Sequence, residues 1–140
     1  MRRIEKVKRF FTNVPTLCIK NETVEAKNTY KSIRLLHVLI GDHLYFLIDG
    51  KVDHLLYINE NDKLTIDGTH ENTCLQYFGR VIFVDDDLVV KQIQAKLLDG
   101  NAAVHTNQLI SYKIFYLANA TATWIIDQQV AYTYHFAAIA

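Results

Sequence analysis

The order of secondary structure is clearest in residues 34–87, which read RLLHVLIGDHLYFLIDGKVDHLLYINENDKLTIDGTHENTCLQYFGRVIFVDDD. Two apolar runs rich in Val, Leu, Ile, Tyr and Phe flank the tight-turn dipeptide Gly41-Asp42, a pattern that predicts a β-hairpin. The amphipathic stretch Val52–Ile58 follows the hairpin and predicts a short helix. Two more strand-like runs come next. The predicted order is therefore strand, turn, strand, helix, strand, strand.

Short strands are predicted along most of the chain. In chain order they are Val14–Asn21, Thr23–Tyr30, Ser32–Ile40, His43–Ile48, Lys63–Gly68, Thr73–Val84, Leu109–Ala118, Thr121–Gln128 and Val130–Phe136. The first two form a hairpin joined at Asn21-Glu22. So many short strands in a chain of 140 residues favour a closed barrel over an open sheet. We predict a mainly β fold with a few helices, in a single domain that covers residues 1–140.

Two helices are predicted outside the central stretch. Residues 2–12 place apolar side chains on one face at helical spacing, which predicts an amphipathic helix that packs on a sheet. The acidic triplet at residues 85–87 begins a second helix, because Asp is a good N-cap and acidic side chains favour the positive end of the helix dipole. Gly100 is the expected end of that helix.

Composition limits the kind of protein. Half of the residues are apolar and 21% are charged, the balance of an ordinary globular domain, and no apolar run approaches the ~20 residues that span a bilayer. The basic N-terminus lacks the continuous hydrophobic region of a signal peptide. Cys18 and Cys74 have no metal or redox spacing and are expected to be free thiols. These features predict a cytoplasmic protein without a membrane partner.

Charge is unevenly distributed although the formal net charge is zero. Residues 1–34 contain nine Lys or Arg against three Glu, whereas residues 35–140 contain six against twelve acidic residues. A net-neutral chain has no general attraction for nucleic acid, so no nucleic-acid partner is predicted. The basic N-terminal region can still favour a small anion such as a phosphate.

The usual catalytic signatures are absent. The sequence has no GxxxxGK[ST], GxGxxG, HExxH or GxSxG motif, and its five glycines are too few for a loop that wraps a nucleotide by backbone alone. No two of the six histidines are spaced as i, i+2 or i, i+4. We therefore predict no metal site and assign no catalytic residue.

The chain resembles the FMN-binding split β-barrel family related to pyridoxamine 5'-phosphate oxidase, particularly its short general-stress-protein-like members. The resemblance lies in the N-terminal helix, the paired strands Arg34–Leu39 and His43–Ile48, the Gly50-Lys51 turn, the segment Asn59-Glu60-Asn61 and the segment FGRVIFVDDD. As an order of elements it covers essentially the whole chain. It implies a split β-barrel and a homodimer that holds FMN at the subunit interface.

The resemblance also implies a set of cofactor-binding residues. Arg34 and Lys51 match the positions that grip the FMN phosphate, and a dianionic phosphate is best bound by charge-assisted donors. Leu47 and Ile48 match the strand that offers backbone groups to the isoalloxazine ring.

Two further side chains are implied beside the flavin. Gln76 would hydrogen-bond the ring and Trp124 would stack on it. With FMN bound, the protein would be an oxidoreductase that passes a hydride or electrons to a small molecule whose identity the sequence does not give.

The sequence departs from the family pattern at the expected phosphate site. Asp49 adds a negative charge there, and the Ser/Thr-x-Lys turn of the relatives is missing. The basic residues that bind substrate in true pyridoxamine phosphate oxidases have no counterpart near the C-terminus, so pyridoxal phosphate synthesis is not expected. Two alternatives therefore stay open. One is a split-barrel module that has lost FMN and binds haem, another planar ligand or a protein partner; the other is a structural dimer.

Overall fold

The computed structural model describes residues 1–14, 16–23, 30–50, 57–100 and 112–136. In these residues it contains two helices, α1 (Arg3–Thr12) and α2 (Asp87–Gly100), and eight strands. The strands are β1 (Leu17–Asn21), β2 (Tyr30–Ile33), β3 (Leu36–Ile40), β4 (His43–Asp49), β5 (Lys63–His70), β6 (Thr73–Phe83), β7 (Tyr112–Ile126) and β8 (Gln129–His135). The predicted mainly β class with a few helices is confirmed.

All eight strands join one antiparallel sheet. Neighbouring strands follow the order β2-β1-β5-β6-β7-β4-β3, and β8 pairs with β7 beside this path. The path ends at β2 and β3, and the sheet curls into a half-barrel. Neither of the described helices is long and apolar enough to cross a membrane.

The concave face of the sheet encloses the main core. Helix α1 contributes the buried side chains Ile4, Val7 and Phe11 to this core, at the helical spacing that the sequence predicts. Phe46 of β4 and Phe115 of β7 stack in its middle with ring centroids 5.7 Å apart. Burial of each such side chain contributes about 1.5–3 kcal/mol to folding, so α1 is held by packing rather than by its intrinsic helix propensity.

Helix α2 covers part of the convex face. Its side chains Ile93 and Leu97 form a second core with Val38 of β3, Leu47 of β4 and Ile114 of β7. Strand β4 is therefore buried on both faces, which explains why its sequence is almost continuously apolar.

The start of α2 agrees with the predicted acidic helix start. The backbone N–H of Leu88 donates to Asp86 Oδ1 at 2.9 Å, and that of Val90 donates to the Asp86 carbonyl at 3.0 Å. Asp86 is thus the N-cap, and its carboxylate satisfies one of the amide groups that the first turn leaves unpaired. The helix ends at Gly100, as predicted.

Two strand predictions near the N-terminus were wrong. Ser32–Ile40 was predicted as one strand, but the chain forms β2 and β3 separately, with a break at Arg34 and Leu35. The break is needed because β2 pairs with β1 and β3 pairs with β4, at opposite ends of the sheet. The strand paired with β1 was predicted at residues 23–30 and instead lies at Tyr30–Ile33.

The two strands predicted at Leu109–Ala118 and Thr121–Gln128 are one long strand in the structure, β7. Asn119 interrupts its ladder with φ 51°, a backbone conformation that asparagine tolerates better than most residues. The β6–β7 register shifts at the same level, so the interruption is a bulge rather than a turn. The predicted helix Val52–Ile58 lies mostly outside the described residues.

We expect Gly79→Ala to destabilise the fold by about 2–3 kcal/mol. Gly79 sits at the bulge, and a Cβ there would lie 2.8 Å from Leu117 Cβ and 3.0 Å from the Ala118 carbonyl oxygen, neither of which can turn aside. Gly68→Ala is the control, since its Cβ would meet the terminal methyl Leu17 Cδ2 at 2.9 Å, which can rotate away. Urea unfolding measures the free energy of unfolding of both variants. Equal losses of stability would refute the argument that the bulge at Gly79 cannot accommodate a Cβ atom.

Candidate functional site

A groove of about 740 Å³ lies between α1, residues 34–39 and α2, and is called the α1–β3 groove below. Its walls are mostly apolar side chains from both cores, among them Phe11, Val38 and Leu97. Its volume falls within the range of about 300–1,000 Å³ that is common for sites that bind small molecules and cofactors.

Three cationic side chains line this groove. They are Lys8 of α1, Arg34 between β2 and β3, and Lys96 of α2. Among the described residues, none of the three pairs with a carboxylate; the ion pairs found there involve other cations. Unpaired cations around an apolar groove favour an anionic ligand with an apolar body.

His37 lies on the floor of the groove. Its Nε2 atom is 3.3 Å from Thr12 Oγ1, and its Nδ1 atom is buried without a hydrogen-bond partner. Burial lowers the pKa of the ring, and the charge of Lys8 lowers it further, against the opposing effect of the carbonyl groups of Leu35 and Lys8. Burial and the charge of Lys8 therefore both favour the neutral imidazole, the form that binds metals and accepts hydrogen bonds.

Helix α1 holds the His37 contact in place. Lys8 Nζ donates to Thr12 Oγ1 at 3.2 Å, and the same hydroxyl lies 2.8 Å from the Lys8 carbonyl oxygen. The ring of Phe11 packs edge-on against the His37 ring, with centroids 6.3 Å apart. One turn of α1 thus supplies an ammonium group, a hydroxyl and an aromatic ring to the groove.

Of the six predicted cofactor-binding residues, Arg34 lines this groove and is exposed to solvent. Lys51 lies outside the described residues. Leu47 is buried in the core under α2, and Ile48 is buried in the main core. Leu47 pairs with Leu36 on one side and with β7 on the other, so its backbone groups are engaged within the sheet.

Gln76 and Trp124 lie on opposite faces of the sheet. Gln76 is exposed, and Trp124 is buried in the main core, where its ring packs edge-on against Phe10 with centroids 5.3 Å apart. Neither lines the α1–β3 groove. The structure therefore places Arg34 at a site that the other described members of the predicted set do not share.

The sequence patterns did not identify Lys8, His37 and Lys96 as groove residues. The one available signal was His37 itself, a polar residue inside the apolar run 35–40. Lys8 was visible only as part of an amphipathic helix, and Lys96 as a charged residue on another. Within the described ranges, no three His, Cys, Asp or Glu side chains cluster in a way that could hold a metal ion.

Comparison with known proteins gives matches only among solved structures. No protein-family model matches the chain, and no curated protein matches it. The crystal structure of a NimC/NimA family protein from Clostridium acetobutylicum superposes with a TM-score of 0.70 at 11% identity, covering 97% of this chain and 95% of that one. This chain is a split β-barrel.

Two haem proteins also have similar structures. The haem-binding protein from Mycobacterium smegmatis has a TM-score of 0.57 at 11% identity and covers 98% of this chain, which spans only 58% of that protein. HutZ, the haem storage protein from Vibrio cholerae, has a TM-score of 0.48 at 17% identity and covers 84% of this chain and 89% of that one. At 11% identity the likeness to the Clostridium and Mycobacterium structures is one of fold, which confirms the predicted split barrel and leaves the FMN-binding family unconfirmed.

Proposed function

We propose that this protein is a split-barrel ligand-binding protein and that its α1–β3 groove binds haem. The observation that carries the proposal is the arrangement of the three unpaired cations around the neutral, partly unsatisfied imidazole of His37. Haem combines a flat apolar ring, two carboxylates and an iron ion, and the groove offers a complementary group for each.

Each part of haem has a matching group in the groove. Apolar walls such as Phe11 and Leu97 suit the ring, while Lys8, Arg34 and Lys96 suit the propionates. His37 is the candidate iron ligand, since neutral imidazole is a common axial ligand of haem iron. A haem-binding protein among the structures of the same fold supports this assignment.

FMN is the second candidate for the same groove. Arg34, which the family resemblance implies as a phosphate ligand, lies there together with the Thr12 and Thr16 side chains. Such groups suit a phosphate dianion. This candidate would make the protein a flavoprotein and an oxidoreductase, and in the related family it goes together with a homodimer. Light scattering at micromolar concentration tests the dimer.

The proposal is tested by separate titrations of the purified chain with haemin and FMN. We expect the Soret absorption band of haemin to shift on binding. The shift should saturate at about one haem per chain. His37→Ala should shift that band and weaken binding by at least the ~10–100-fold typical of altered metal ligation. The control is His70→Ala, since His70 is an exposed histidine whose ring faces Glu71.

If FMN fluorescence is quenched and the absorption spectrum of haemin does not change, the FMN hypothesis is favoured over the haem proposal. If the chain binds neither compound, or if His70→Ala and His37→Ala weaken haemin equally, the haem proposal is wrong.

A further inference from the structure

A second cavity, of about 430 Å³, lies at one end of the half-barrel and is called the barrel-end cavity here. It is bounded by the first residues of α1, the β3–β4 turn, the middle of β7 and the end of β8. It shares no lining residue with the α1–β3 groove, so an inference about it does not depend on the haem proposal.

Aromatic rings form two walls of the barrel-end cavity. Tyr77 and Phe136 meet edge to face, with centroids 6.1 Å apart. His43 and Tyr116 lie closer, with centroids 4.4 Å apart. All four residues line the cavity, and aromatic walls of this kind favour a flat aromatic ligand through stacked and edge-to-face contacts.

Tyr77 contributes a phenol side chain to the lining of the cavity. Tyr77 is 3% exposed, and its ring packs against Phe11, Phe46 and Phe136. Desolvation raises the pKa of this phenol, so it stays protonated and can donate. An acceptor atom on a ligand in the cavity would accept a hydrogen bond from this hydroxyl.

Arg2 and Arg3 both line the cavity and differ in their partners. Arg2 is engaged by Glu5 at 2.6 Å and by Asp42 at 2.7 Å. The guanidinium of Arg3 lies 4.3 Å from the ring centroid of Tyr134 and has no carboxylate partner among the described residues. The lining of the cavity therefore includes a positive group, Arg3, and a neutral donor, Tyr77.

We propose that the barrel-end cavity binds a small planar aromatic monoanion, specifically an aromatic carboxylate. The ring lies between the two aromatic walls, and the carboxylate accepts a hydrogen bond from Tyr77 and faces Arg3. The bulge at Asn119 is part of the cavity lining, which fits the tendency of β-bulges to lie beside binding sites.

The test uses 2-naphthoate as the probe, with binding measured by calorimetry and located by amide chemical shifts in NMR. We expect saturable binding, with shifts in the β7 amides of residues 117–120. Tyr77→Phe removes the hydroxyl and keeps the ring, and should weaken binding by about three- to tenfold. Tyr112→Phe, which removes a hydroxyl from β7 outside the cavity, should leave the affinity unchanged.

Cyclohexanecarboxylate, with the same charge and no aromatic ring, should bind at least about tenfold more weakly than 2-naphthoate, because it lacks the ring contacts. Arg34→Ala should not change 2-naphthoate binding, which separates this site from the groove. The proposal is overturned if the binding of 2-naphthoate does not saturate or if Tyr77→Phe and Tyr112→Phe lower its affinity equally. It is also overturned if the chemical-shift changes map to residues 34–39.

Discussion

Replacing Lys8, Arg34 and Lys96 together by alanine is expected to lower the haemin affinity of the protein by about a hundredfold. All three side chains line the α1–β3 groove without a carboxylate partner among the described residues. Because they are at least partly exposed, each contact with a propionate is discounted to about 1 kcal/mol. Three such contacts correspond to about 3 kcal/mol, or roughly a hundredfold in the dissociation constant.

The matched control removes the same number of positive charges, all from positions on α1 and α2 outside the groove. Lys6 and Arg9 of α1 and Lys91 of α2 are exposed and do not line it. Haemin titrations of both triple variants at one ionic strength separate local contacts from the general field of the protein. If the control variant loses as much affinity as the groove variant, the cations act only through net charge and the assignment of the groove fails.

Asp62→Ala is expected to lower the free energy of unfolding by about 3 kcal/mol. Asp62 is 8% exposed, and its Oδ2 atom accepts hydrogen bonds from Asn21 Nδ2 at 3.0 Å and from the Asn59 amide at 2.9 Å. Asn21 is itself 0% exposed. The substitution removes an acceptor shared by two donors that water does not easily reach.

The contacts of Asp62 also explain why the effect spreads beyond one loop. Asn21 Nδ2 donates a second bond to the Tyr57 carbonyl at 3.2 Å, and the Val81 amide donates to the Asp62 carbonyl at 2.8 Å. The network therefore joins the end of β1 to the turn before β5 and to β6. Loss of the carboxylate removes the bonds that join β1 to the turn before β5, while the backbone bond from Val81 of β6 remains.

Urea unfolding measures this prediction, with Asp42→Ala as the control. Asp42 forms an exposed ion pair with Arg2, and such pairs contribute about 0–1 kcal/mol. Asp62→Asn keeps one oxygen acceptor and should fall between the wild type and Asp62→Ala. Similar unfolding midpoints for Asp42→Ala and Asp62→Ala would contradict a structural role for the buried network.

The elements that sequence patterns predicted correctly are those with local causes. The start of α2 follows from Asp86, whose carboxylate bonds to an amide two residues later. The β3–β4 hairpin follows from Gly41, whose φ of 60° suits glycine at a tight turn. Both signals act within a few residues, so they can be recognised without knowledge of the fold.

The errors have long-range causes. Nothing local requires the break at Arg34 and Leu35, since the surrounding residues all suit a strand; the break arises because β2 and β3 join opposite ends of the sheet. Likewise, the residues around Asn119 do not reveal whether the chain forms a bulge there or reverses its direction. Pairing of β7 with β4 and β6 along its length makes it one strand.

The sequence by itself determined the mainly β class, both described helices with their ends, and the central hairpin, because capping, turn geometry and apolar periodicity act between near neighbours. The α1–β3 groove depends on long-range packing. Lys8, His37 and Lys96 come from three elements far apart in the chain, and they meet because the apolar faces of α1 and α2 are buried against the sheet. Burial then lowers the pKa of His37, a shift that no spacing of histidines in the sequence predicts.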